Sequence, residues 1–237
     1  MKVSLKLPLI LLATGASLAF TLPGIKSNPP QKGKWVSLFD GTTLKGWHGY
    51  NQTGPVTNWG VKDGDLVSMG TAKNATRGYI ITDKKYGNFE LKWEWKVDKG
   101  TNSGVIYHVI EDAKHHAPYE TGPEYQIIDD AGFPEHLEEW QKAGADYAMT
   151  VPNSQKALKP VGEWNTSMLI FNRGHVEHWL NGKKIVEFQA WSPEWNKKRM
   201  AGKWKDYPDY GKAKTGEIAL QDEAGTVYYR HIMIKEL

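Results

Sequence analysis

From residue 88 to residue 97 the chain reads NFELKWEWKV, and apolar and polar side chains alternate along it without a break. Phe89, Leu91, Trp93, Trp95 and Val97 therefore project to one side of an extended backbone, and Asn88, Glu90, Lys92, Glu94 and Lys96 to the other. A helix repeats its faces every 3.6 residues and cannot sort this pattern, so the segment must be a strand buried on one face. A face carrying two Trp, a Phe, a Leu and a Val needs a second layer to cover it. Further strand-like stretches lie at 105–109, 125–129, 168–171, 176–180, 185–188, 218–221 and 227–234. Asn181-Gly182 and Asp63-Gly64 are hairpin signals, because both positions of a type I′ turn require positive φ. Helical signals are sparse: a turn or two over 134–140, and Ser192-Pro193-Glu194, an N-cap followed by Pro at the first helical position. The expected fold is all-β, a jelly-roll sandwich of two antiparallel sheets with few short helices.

Composition narrows the function. With 11 Trp, 11 Tyr and 6 Phe in 237 residues the chain buries enough apolar area to fold without staples, which excludes disorder. The absence of cysteine excludes a disulfide framework, a thiolate-bound zinc and a cysteine nucleophile. A formal charge of +3, with no basic cluster interleaved with aromatics, argues against nucleic acid. No phosphate-cradling glycine loop, HExxH or GxSxG occurs, so no nucleotide cofactor is expected, nor zincin or α/β-hydrolase chemistry.

The N-terminus has the layout of a secretory signal peptide spanning residues 1–19. Lys2 and Lys6 precede an apolar run from Leu7 to Leu18, and the small residues Ser17 and Ala19 sit at −3 and −1 of a cleavage site. The run is too short for a membrane span, is interrupted by Pro8 and Gly15, and has no cysteine for lipid attachment. Its removal takes two lysines, leaving a mature charge of +1. Residues 20–34 read as a polar leader, and 35–237 as one jelly-roll domain, since no linker, charge block or repeat divides them. The mature protein is expected in the periplasm or medium, without a membrane span.

Several polar residues fall on the strands, where burial without a partner would be costly. In TGPEYQIIDD, Glu124 and Gln126 share a face by parity, and acid beside amide suits a hydroxyl-rich ligand such as an oligosaccharide or other glycoside. Glu124 and Asp129 are about 16–17 Å apart on an extended strand, too far to be a glycosidase carboxylate pair by themselves. A second group must come from a neighbouring strand: His108, His178, Glu177, or Gln221 with Asp222. A histidine there serves as acid, as base or as metal ligand, or is only a satisfied strand residue. Trp93 and Trp95 belong to the apolar face and hence to the core. Trp164, in polar GEWN, and Trp47, beside His48, are the candidates for stacking on a sugar ring.

The motifs VSLFDGTTLKGWHG, YGNFELKWEWKV, NSGVIYHV, TGPEYQIIDD, GADYAM, GEWNTSMLIFNRGHVEHWLNGKKIVEF, WSPEW and GEIALQDEAGTVYYRHIMIKEL appear in this order. As a series, running from about Trp35 to Leu237, they resemble the 3-keto-disaccharide hydrolase family, also described as 3-keto-glucoside 1,2-lyase/3-keto-2-hydroxy-glucal hydratase domains. The resemblance implies a concanavalin A-like jelly roll and action on glycosides whose 3-hydroxyl has been oxidised to a ketone, hence an oxidoreductase as pathway neighbour. Two departures stand out. Relatives commonly read LQDHG where this chain has Asp222-Glu223-Ala224, and FRNI where it has Tyr229-Arg230-His231-Ile232. At the position of His108 many relatives carry Arg, and His there is also a familiar variant.

A C3 ketone acidifies the C2–H, so base removal of that proton expels the C1 substituent and water adds to the resulting enone. Such a site needs a base at C2, an electrophile for the C3 oxygen and an acid for the leaving group. On the resemblance, Glu124 or His108 is expected as base and His178 as acid or metal ligand. Gln126, Arg230, Gln221, Trp164 and Trp47 are expected to bind the sugar. A divalent metal cation held by His108, Glu124 and His178 would polarise the ketone if their strands are neighbours. Two rivals share the fold: a non-catalytic carbohydrate-binding module, and a retaining glucanase, although the run Glu124 to Asp129 lacks the middle acid that such enzymes show.

Overall fold

The computed structural model describes residues 33–69 and 77–237. The signal peptide expected at 1–19 and most of the leader expected at 20–34 lie outside the described residues. The chain opens with β1 (Trp35–Ser37), β2 (Trp47–Gly49), β3 (Trp59–Lys62), β4 (Asp65–Ser68) and β5 (Gly78–Thr82). Two long strands, β6 (Phe89–Val97) and β7 (Asn102–Val109), precede β8 (Glu124–Ile128). The meander β9 (Asn165–Asn172), β10 (His175–Leu180) and β11 (Lys183–Gln189) leads into helix α1 (Pro193–Ala201). Strands β12 (Glu217–Asp222) and β13 (Val227–Glu236) follow.

These strands form two antiparallel sheets. The larger runs β11-β10-β9-β6-β13-β4-β3, with β1 added along β13. The smaller runs β2-β5-β12-β7-β8. The alternation that marks β6 is realised residue by residue: every odd position from Phe89 to Val97 is buried and every even one is half-exposed. Trp93 and Trp95 lie in the layer between the sheets, with Tyr107, Tyr125, Ile218 and Tyr229. The turns follow the dipeptides: Asp63 and Gly64 have φ of 54° and 85°, Asn181 and Gly182 have 47° and 78°, the double positive φ of type I′.

Helix is confined, among the described residues, to α1 and single 3-10 turns. Ser192 caps α1 as expected, its hydroxyl accepting from the Trp195 N–H. Residues 134–140, expected to give a turn or two, yield only a 3-10 turn at Glu139–Gln141. There the Gln141 side chain reaches back to the Glu138 N–H at 3.0 Å and closes a capping box around a single turn. Strands β1, β2 and β5 are not signalled by alternation: two are three residues long, and in Gly78–Thr82 the apolar Tyr-Ile-Ile run has no period.

One irregularity governs the site. Against β12, Ile106 pairs with Ala219 and Val109 with Glu217, so Tyr107 and His108 together oppose Ile218. This is a β-bulge, with His108 at a φ of 54°. Past the bulge the side-chain faces exchange. Ile106 and Val109 point out of the sandwich, while Tyr107 and His108 point into it, His108 packing 4.3 Å from the Phe171 ring. The bulge needs Gly216 beside it, because a Cβ there would meet the Val109 carbonyl oxygen and stand 2.7 Å from the His108 Cα. Backbone cannot rotate aside, so Gly216→Ala is expected to cost about 1–3 kcal/mol, read as a lower urea midpoint at unchanged m-value.

Candidate active site

The smaller sheet has one face in the core and one that is covered only in part. Ile80, Val105, Tyr107, Tyr125, Ile127, Ile218 and Leu220 fill the inner face. On the outer face Ile81, Ile106, Val109 and Ala219 form a small apolar cluster with Tyr50, and beside it the alternate residues are polar: Tyr79 from β5, Gln221 from β12, Asn102 from β7, and Glu124 and Gln126 from β8. Tyr119, Tyr147, Lys203 and Glu223 rise from the surrounding loops and enclose with them a cavity of about 260 Å³. The register explains the grouping, since Ile106 lies opposite Glu124 and Gly104 opposite Gln126.

Glu124 forms the floor. It is 5% exposed, and its carboxylate has no hydrogen-bond partner among the described residues. It lies over Gly104, where a Cβ would overlap its carboxylate, so the glycine is what lets the acid fold flat onto the sheet. Burial pushes its carboxyl up to about 8; Lys203 pulls it down and Glu223 pushes it further up. Gln126 accepts from the Ile127 N–H at 3.1 Å through its carbonyl oxygen, which leaves its NH₂ for a ligand. The Asn102 side-chain Oδ1 is buried and unpartnered. Lys203 begins the 3-10 turn Lys203–Asp206 and holds its ammonium 4.5 Å from the Tyr147 ring, 4.9 Å from Trp204 and 5.6 Å from Tyr119. Burial lowers its pKa, against the attraction of Glu124 and Glu223.

The expected site residues divide. Glu124, Gln126 and Gln221 come together in this cavity. The others go elsewhere. His108 is turned into the core by the bulge and its Nε2–H donates to the Gly87 carbonyl at 2.8 Å. His178 is fully buried, its ring tilted against Tyr125 at 4.7 Å, with Nδ1–H donating to the Gly144 carbonyl at 3.0 Å. Burial holds both imidazoles down at about 4, so both are neutral at pH 7. The expected metal set of His108, Glu124 and His178 is corrected accordingly: both histidines project from the inner side of the sandwich and Glu124 from the outer face, so the three do not fit a common ion.

Arg230 and Trp164 are on the far side of the molecule, on the outer face of the larger sheet. Arg230 pairs with Glu94 at 2.7 Å and stacks on Trp164 at 3.9 Å. Trp47 is a core residue whose indole N–H donates to the Leu38 carbonyl at 2.6 Å, which occupies the edge needed for a sugar. Glu177, also on that outer face, accepts from the Trp179 indole, and Asp222 is buried in an ion pair with Arg77 at 2.7 Å. The one histidine–carboxylate cluster of metal-binding spacing among the described residues is His175, Glu177 and Glu187 on the β10–β11 hairpin, where Lys184 already supplies a cation. Lys203, Tyr79, Tyr119, Tyr147 and Asn102 escape a sequence reading. Asn102 had a signal in strand parity, four places before Ile106, but Tyr79, in a run without period, and the loop residues had none.

The profile of the 3-keto-alpha-glucoside-1,2-lyase-like domain matches residues 34–235. A protein of Bacteroides thetaiotaomicron named 3-keto-disaccharide hydrolase is 29% identical over 227 residues, covering 86% of this chain and 78% of its own. A crystal structure from Parabacteroides distasonis, provisionally described as a glycosyl hydrolase, superposes with a TM-score of 0.80 at 45% identity, covering 86% of this chain and 94% of that one. A second, similarly described, from the same organism gives 0.67 at 29% identity, covering 86% of this chain and all (100%) of that one. No helix among the described residues is long and apolar enough to cross a membrane.

The raised Glu124 pKa has a consequence for stability. Between the unfolded value of 4.5 and the folded value of about 8 the unfolded chain has released this proton and the folded one has not, so stability falls as pH rises through that window. Glu124→Gln removes the penalty. It is expected to gain about 2–4 kcal/mol at pH 7 and nothing at pH 4, checked by urea melts at the two pH values.

Proposed function

We propose, since the chain belongs to the 3-keto-alpha-glucoside-1,2-lyase-like family, that it cleaves 3-keto-glycosides, 3-keto-disaccharides among them, by eliminating the C1 substituent and hydrating the product. The observation that carries this reading is Glu124: a desolvated carboxyl, free of internal hydrogen bonds and open to a cavity lined with amides and phenols. A pKa near the working pH suits a group that must take a proton from carbon and give it back.

In this reading ionised Glu124 removes the C2 proton and the electron pair moves into an enolate at C2–C3. The enolate re-forms the C3 ketone, C1=C2 forms, and the C1–O bond breaks. The leaving oxygen takes the proton that Glu124 now holds. Water then adds at C1 and C2 is reprotonated, so the net change is hydrolysis. The amides of Gln126, Gln221 and Asn102 hold the sugar hydroxyls. No step is assigned to a metal, because the histidines expected to hold one are turned away from Glu124. Export is part of the same reading, supported by Lys2, Lys6 and the apolar run before Ala19, and an oxidoreductase must supply the ketone.

Purified mature protein is to be incubated with a disaccharide and with its 3-keto derivative, and the products followed by mass. Turnover of the keto sugar alone is expected, with kcat rising with pH through a limb near 8 as Glu124 ionises. Glu124→Gln should lower kcat by at least about 100-fold while still binding the sugar. Full activity in that variant would remove Glu124 from the mechanism. Binding of both sugars without turnover by the wild type would make the protein a carbohydrate-binding module.

A further inference from the structure

Elimination from a 3-keto sugar places negative charge on the C3 oxygen, and that charge needs a partner in the site. Two carboxylic acids line the cavity, Glu124 and Glu223, and one cation, Lys203. The setting of that cation is unusual for a lysine. Its ammonium lies against the faces of Tyr147, Trp204 and Tyr119, at 4.5, 4.9 and 5.6 Å. No carboxylate among the described residues approaches it within ion-pair distance, although Glu124 and Glu223 both act on it through space. Aromatic faces attract a cation without supplying strong hydrogen-bond acceptors, so the three donors of the –NH₃⁺ are left to a ligand in the cavity.

From this geometry we propose that Lys203 is the electrophile of the site, its caged ammonium donating to the C3 oxygen of a 3-keto sugar and holding the enolate that forms when Glu124 takes the C2 proton. The assignment rests on the function proposed above and deepens it. The C2–H and C1–O bonds break and C1=C2 forms, with the C2 proton passing through Glu124 to the leaving oxygen. Lys203 keeps its proton throughout, and charge moves only from the Glu124 carboxylate to the C3 oxygen and onward to the leaving group. A donor fixed in a dry site before reaction costs no reorganisation as charge develops, and loss of one such donor commonly lowers kcat by about 100- to 1000-fold. The preference for a ketone over the parent alcohol follows, since only the keto sugar offers an oxygen on which that charge accumulates.

Lys203 also lowers the Glu124 pKa, and a residue that acted only in that way would be a positioning residue. The pH profile separates the two roles. Lys203→Met, and Lys203→Gln as a second uncharged variant, are to be assayed on a 3-keto-disaccharide from about pH 6 to about pH 10, with cooperative urea melts confirming the fold. The expected result is a kcat lower by about 100-fold or more at every pH, with KM little changed and Lys203→Arg recovering part of the rate. A limb that moves to higher pH with the wild-type plateau regained would overturn the assignment and leave Lys203 as a tuner of Glu124. Borohydride reduction of wild type with substrate, followed by intact mass, is expected to give no adduct; a stable sugar–Lys203 adduct would replace the hydrogen bond by a Schiff base. Inactivity of the wild type on keto sugars would overturn the functional reading, and this assignment with it.

Discussion

Everything in the cavity is arranged around one unfavourable fact, a carboxyl group pressed into a β-sheet with nothing to solvate it. Glu124 lies flat because Gly104 on the adjacent strand has no side chain, and flatness is what removes it from water. Desolvation alone raises its pKa by more than the opposing pull of Lys203 lowers it. A solvated glutamate would be ionised and a weak base at pH 7. Held here, the same group is poised between its two forms, which is what proton transfer at carbon needs.

The sandwich makes that arrangement possible by separating two tasks across a single sheet. The inward side chains of β7, β8 and β12 join the aromatic core with β6 and β13; of the outward ones, Ile106, Val109 and Ala219 pack in a small apolar cluster and Asn102, Glu124, Gln126 and Gln221 are left to chemistry. A strand cannot place neighbouring residues on the same face, so a function needing several polar groups must recruit them from adjacent strands. Tyr79, Gln221, Asn102 and Glu124 come from four strands that lie side by side. The bulge at Tyr107–His108 shows how little separates the two tasks. A regular strand would turn His108 outward like Ile106, which faces Glu124 across the ladder; one extra residue turns the imidazole inward to Gly87.

The sequence was legible where one rule decided the outcome. Strict alternation yields β6 and its buried tryptophans, and Asn181-Gly182 and Asp63-Gly64 yield their turns, because period and φ are local properties. Parity correctly puts Glu124 and Gln126 on one face. It fails for His108 because a bulge depends on the partner strand, here on Gly216 lying against the backbone. His178 and Trp47 show a different limit. Alternation puts His178 on the same face as Val176 and Leu180, but polarity suggested a ligand, whereas Nδ1 is satisfied by Gly144. Trp47 likewise spends its N–H on Leu38 within the core. Lys203, the cavity's cation, lies more than 75 residues from Glu124 on a one-turn element, and only the closing of loops over the sheet brings them together.

Glu223 gains meaning from the same electrostatics. By resemblance a histidine commonly stands there, and a carboxylate in its place changes the charge at the rim of the cavity. Glu223 pushes the Glu124 pKa up and the Lys203 pKa up as well. The first effect strengthens the base that Glu124 becomes on ionising; the second keeps the caged lysine charged despite its burial. An imidazole would do neither in its neutral form and would oppose both when protonated. The substitution therefore moves this site toward a stronger base facing a more securely held cation, with Glu223 itself solvent-exposed. A carboxylate on the rim, a carboxyl on the floor and an ammonium caged between aromatic faces form a charge arrangement suited to drawing a proton from carbon and receiving the electron pair it leaves behind.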